Sequence, residues 1–157
     1  MFDLENIYNK NLINGIKEKN FETVKDSIKN GASLNGNIGD KFLTPLLLCL
    51  KNPDVKIFKY MVSKGADVNE RIGYLDAEEW DKISLLQYAV DIKEMPIDII
   101  ETIIENGGYR DINYAPKGTK SPAEIAIENN SVLLLENFKK YTDLRVNNEQ
   151  INISKNI

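Results

Sequence analysis

Apolar positions recur along this chain at helical spacing, in short runs that end at glycine or at a break. Phe21, Val24, Ser27 and Ile28 form one stripe, and Val55, Phe58, Met61 and Val62 a second. Ile97, Ile100, Ile103 and Ile104 form a third, and Val132, Leu135, Phe138 and Lys139 occupy the same places in a fourth. Steps of three and four put each set on one side of a helix. Ten residues after the first member of the first three stripes stand Gly31, Gly65 and Gly107, whereas the fourth has Thr142 there. A glycine just past a helical run supplies a left-handed stop.

A shorter apolar run precedes each stripe. In Thr44 to Leu50 the threonine hydroxyl caps free N–H groups and Pro45 takes the first helical position. Asn52 and Pro53 then break the run before Val55. Lys10, Thr44, Ser84 and Ser121 share the opening slot, and five residues on stand Gly15, Cys49, Ala89 and Ala126. Small residues in one slot predict a close approach of helices. The pattern gives an all-α chain of two-helix units near 10–43, 44–83, 84–120 and 121–142. Phe2 to Tyr8 is expected as a lead-in helix or pad over the open end of the stack. The polar tail 143–157 is read as disordered. Alternation at Ile151 and Ile153 leaves an added strand or a pad on the last unit as alternatives. A lone helical hairpin buries one side only, so such units need neighbours.

The second helices lead into GASLN (Gly31 to Asn35), GADVN (Gly65 to Asn69) and, two residues longer, GGYRDIN (Gly107 to Asn113). With Thr44-Pro45-Leu46-Leu47 and the small fifth position, these segments resemble the ankyrin repeat, which opens T-P-L-H. The resemblance covers about residues 10 to 142, with starts at 10, 44, 84 and 121, spaced somewhat wider than the family's about 33 residues. The second unit matches best; the first and fourth are cap-like, and the third opens Ser84-Leu85-Leu86-Gln87-Tyr88-Ala89. The resemblance implies an ankyrin-like repeat solenoid with hairpin loops, used to recognise proteins. The chain has no histidine, so the family's opening histidine, which braces adjacent turns, is replaced or lost.

Composition narrows the function. The chain has 157 residues, which fits one domain, and a net charge of −4, which argues against general nucleic-acid binding. No apolar run reaches the about 18 residues of a membrane span, and the opening MFDLENIYNK has no basic leader or apolar core of a signal peptide. A single cysteine makes no internal disulfide, which fits a reducing, cytoplasmic setting. Cys49, among leucines in a packed helix, reads as a buried structural thiol. Without histidine, nucleophile–histidine catalysis and histidine metal sites are excluded. Paired carboxylates remain formally open to an enzyme, yet no spacing selects a pair. No cofactor is expected, and the acidic segments lack the alternation of a calcium loop.

Candidate contacts fall in the irregular segments. Gly36 to Phe42 reads as a projecting hairpin loop carrying Ile38, Asp40 and Phe42; its glycines are in the wrong order for a phosphate loop. Glu70 to Lys82 is a longer, acidic insertion with Ile72, Tyr74, Leu75 and Trp80 interleaved. Either Trp80 and Leu75 fold back to fill a gap, with a short helix from Asp76, or the insertion offers Tyr74, Glu78, Glu79 and Trp80 to a partner. Aromatic residues are enriched at interface hot spots, and the acidic surround would steer a basic partner. Tyr109 and Arg110 read either as surface or as loop filling. Lys117 and Lys120 read as solvated.

The sequence thus favours a non-catalytic protein-binding module, a monomer when alone. A partner with a basic patch would be held by hairpin loops and first-helix faces. A compact acidic protein of Asn-, Lys- and Ile-rich composition also suits a bacterial toxin antidote. A host-directed effector or a scaffold would use the same surface.

Overall fold

The structure is a computed structural model that describes residues 4–38, 43–73 and 82–144. These residues are mostly helical, with eight α-helices, one 3-10 turn and one two-stranded ladder. The chain divides into two compact units, Met1–Asp67 and Val68–Ile157.

In the first unit, α1 (Leu4–Lys17) packs on α2 (Phe21–Lys29) and on α3 (Pro45–Lys51); α4 (Val55–Ser63) packs on α3 and α2. Helix α1 is continuous from Leu4, so the expected lead-in and the expected helix from Lys10 are one element and no cap stands at Lys10. Asn20, Thr44 and Asp54 cap the next three helices by accepting from the N–H groups of Thr23, Leu47 and Ile57 at 3.1, 3.2 and 2.9 Å. Pro45 sits in the first turn, where no N–H is needed. The small slot has its expected cause at Gly15: a Cβ there would lie 3.0 Å from the Val24 side chain and from its backbone N. Cys49, in the same slot of α3, is fully buried.

The second unit holds β1 (Arg71–Ile72), β2 (Ile83–Ser84), α5 (Leu85–Asp91) and α6 (Ile97–Glu105). The 3-10 turn (Gly108–Asp111), α7 (Pro122–Glu128) and α8 (Val132–Lys139) follow. Helix α5 packs against α6, α7 and the 3-10 turn, and α7 against α8. Ser84 caps α5. Ser121 and Glu124 form a reciprocal capping box on α7, at 3.2 and 2.8 Å. Gln87, which stands where the resembled family has its histidine, donates from Nε2 to Thr119 Oγ1 at 3.1 Å. It therefore ties α5 to the loop before α7, while its buried Oε1 has no hydrogen-bond partner among the described residues.

Repeated positions adopt repeated geometry. Gly31, Gly65 and Gly107 have φ of +100°, +104° and +114°, which an L side chain adopts only with strain. Asn35 reaches the next such turn, donating to the Gly65 carbonyl at 3.0 Å and accepting from Asp67 N–H at 2.8 Å. Asn113 likewise donates to the Asp143 carbonyl at 2.8 Å. Asn35 and Asn113, which close two of the exit turns, thus each bridge to a later segment about thirty residues on.

The stripes are buried at their centres, whereas Phe21, Ile28, Val55, Val62 and Ile97 are half-buried at their edges. Ile57 and Ile99, outside the sequence stripes, are fully buried, because α4 and α6 each pack on more than one neighbour and bury a broader arc. In α8 the buried arc runs through Leu135, Asn137 and Phe138. It leaves Val132 at its edge, 49% exposed, and Lys139 in solvent. The expected disorder or padding of the tail beyond Leu144 lies outside the described residues.

Candidate interaction surface

The Glu70–Lys82 segment is closed at its base. Strands β1 and β2 pair antiparallel, with Arg71 opposite Ser84 and Ile72 opposite Ile83. Three further contacts fix this stem. Arg71 donates from both terminal guanidinium nitrogens to the two Asp111 carboxylate oxygens, each at 2.8 Å. The Asp111 side chain is 6% exposed and that of Arg71 25%. The guanidinium also lies 4.8 Å from the centre of the Tyr114 ring, and the Tyr114 hydroxyl donates to the Lys82 carbonyl at 3.1 Å. Both ends of the segment are therefore held to the 3-10 turn and to the hairpin after it. A planar fork on a carboxylate fixes direction as well as distance.

Tyr74, Glu78, Glu79 and Trp80, with the expected helix from Asp76, lie outside the described residues, as do Asp40 and Phe42. Ile38 is described, and it corrects the sequence reading: it is 2% exposed. Its N–H donates to the Leu43 carbonyl at 2.9 Å, so it sits at the closed base of the first hairpin with its side chain in the core. A β-branched apolar residue beside a turn is more stable turned inward, and its place in a loop did not reveal that.

At the exit of α6, Tyr109 and Tyr141 stack with ring centres 5.9 Å apart and planes 22° apart, both partly exposed. Arg110 lies 5.6 Å from the Tyr109 ring. Tyr109 is thus both a surface residue and a packing partner. Lys117 and Lys120 are both exposed as expected, and Lys120 also pairs with Glu128 at 2.7 Å. The sequence reading did not single out Arg71, Asp111 or Tyr141. The added residues of GGYRDIN were the available signal for Asp111, since they lengthen the turn that carries it.

Chemistry is sparse. Burial pushes the Cys49 thiol up from 9.0 to about 11, so it is protonated and unreactive near neutrality. Among the described residues, no three His, Cys, Asp or Glu side chains are grouped to hold a metal ion, and no helix is long and apolar enough to cross a membrane. A groove of about 620 Å³ lies in the second unit, between the α5–α6 turn and the start of α8. No protein-family model and no curated protein matches the chain.

Proposed function

We propose that this protein is a non-catalytic recognition module, an ankyrin-like repeat solenoid that holds another protein through its hairpin loops and first-helix faces. The carrying observation is the fixed stem of the Glu70–Lys82 insertion: paired strands, a bidentate Arg71–Asp111 contact and the Tyr114–Lys82 bond. A loop tied at both ends loses less freedom on binding than a free one, so more of its contact energy appears as affinity. The left-handed turns ten residues after Phe21, Val55 and Ile97 support the repeat reading, as do the asparagine brackets at Asn35 and Asn113. The proposed setting is cytoplasmic, and the proposed partner surface is basic, facing Glu78 and Glu79 with Tyr74 and Trp80 as anchors.

The test is affinity capture from native cells with the wild-type chain and with a Tyr74→Ala, Trp80→Ala double variant of equal thermal stability. A specific partner lost in the variant is the expected result. A partner retained at equal affinity refutes the insertion as the contact surface.

A further inference from the structure

A second surface lies away from the hairpin stem, in the groove of about 620 Å³ between the α5–α6 turn and the start of α8. Ile92, Met95, Ile97 and Leu134 are partly covered and line it from both sides, with the polar Asn129 and Ser131 beside the start of α8. Leu133 also lines it and is 58% exposed. An isolated exposed leucine is ordinary, but a leucine standing beside partly covered apolar side chains in a groove marks a contact site.

The volume is that of a few side chains, within the range of small-molecule sites. Such sites, however, are concave and carry convergent polar groups that orient the ligand. Here the charged lining residues, Asp91, Lys93 and Glu94, are exposed and stand on the rim. Partly covered apolar side chains within a charged rim suit the side-chain anchors of a polypeptide segment.

Charge selects the segment. Val68–Ile157 carries 16 Asp and Glu against 10 Lys and Arg, a net of −6. On the rim, Asp91 and Glu94 outnumber Lys93, and Glu136 is exposed one turn beyond Leu133. Glu94 is held at φ +64° in the α5–α6 turn, which fixes the direction of the backbone at the rim. We infer that this groove docks a basic amphipathic segment of a partner protein. The segment's leucine- or isoleucine-type anchors would fill the groove, and its Lys and Arg would face Asp91, Glu94 and Glu136. The inference takes the class of occupant from the recognition reading but uses different residues, so the two can fail separately.

The probe is a synthetic leucine–lysine peptide with its leucines at helical spacing, titrated into the full chain by fluorescence anisotropy. The controls are an isomer of the same composition with scattered leucines and a leucine–glutamate counterpart. Saturable binding of the first peptide alone is expected. Leu133→Asp should weaken it at least about tenfold, and Glu94→Lys should weaken it several-fold with a smaller salt dependence. The Tyr74→Ala, Trp80→Ala variant should bind it unchanged. Leu133→Asp alters an exposed position, so its fold is expected to stand, and its thermal transition confirms that.

Equal binding by the control peptides, or by Leu133→Asp, overturns the proposal. So does a self-association that Leu133→Asp abolishes, which would make the occupant a second copy. If Ile151→Asp with Ile153→Asp tightens peptide binding about tenfold, the chain's own end is the occupant and the partner reading falls.

Discussion

Replacing Arg71 by alanine tests whether the hairpin stem is held or merely adjacent. The change removes two charge-assisted hydrogen bonds of 2.8 Å and a ring contact with Tyr114, leaving a carboxylate whose side chain is 6% exposed. Hydrogen bonds to charged groups contribute about 1.5–3 kcal/mol, and stranding a buried charge costs about 3–5 kcal/mol. Arg71 is itself 25% exposed, so water can enter the space and reach Asp111. The expected loss is therefore at the lower end, about 2–3 kcal/mol. Asp111→Asn keeps the shape and leaves the arginine with access to water, so it should cost less, about 1–2 kcal/mol. The double variant should cost less than the sum of the two, giving a coupling of at least about 1 kcal/mol. Urea unfolding reads the global term, and amide exchange at Ile72 and Ile83 reads the stem alone. An Arg71→Ala loss below about 0.5 kcal/mol with unchanged exchange would refute the reasoning and rank the pair with ordinary surface ion pairs.

Three further outcomes follow from single residues. Ile38→Ala should destabilise the protein by about 2–4 kcal/mol in urea unfolding, as a core residue does, whereas a surface contact would cost almost nothing. For Cys49 the folded-state pKa is raised from 9.0 to about 11. Its contribution is thus fully present below pH 9 and is lost as pH rises towards 11. That loss is on the order of 3 kcal/mol; Cys49→Ala should show a correspondingly flatter fall of stability over the same window. In Gly108→Ala the new Cβ would meet the Ile103 side chain at 2.6 Å and its carbonyl oxygen at 2.7 Å. A cost of about 1–3 kcal/mol is expected by thermal unfolding, with faster exchange in the 3-10 turn.

The helical stripes, their glycine stops and the caps at Thr44, Ser84 and Ser121 were legible because each is local chemistry with a fixed spacing. The small slot was legible for the same reason, and Gly15 against Val24 shows its cause. Ile57 and Ile99 were not, because burial on a second side depends on a neighbouring helix that periodicity does not report. Val132 failed in the opposite sense: it holds a core place in the repeat pattern, yet on α8 the buried arc has turned away from it. Ile38 failed because loop position was taken as exposure.

The stem shows why irregularities resist reading one at a time. In sequence, the long Glu70–Lys82 insertion and the two extra residues of GGYRDIN are separate departures from the repeat. In the fold they meet. The longer exit turn closes as the 3-10 turn Gly108–Asp111, possible because Gly108 brings no Cβ against Ile103. That turn carries Asp111 to Arg71 at the start of the insertion, while Tyr114 reaches Lys82 at its end. The Glu70–Lys82 segment is anchored by Asp111 and Tyr114, which the longer following turn brings to its two ends. The regularly spaced glycines encode the left-handed turns. The paired departures from that spacing mark where this chain gives up regularity to tie the ends of the insertion, and that is where the proposed recognition is best sought.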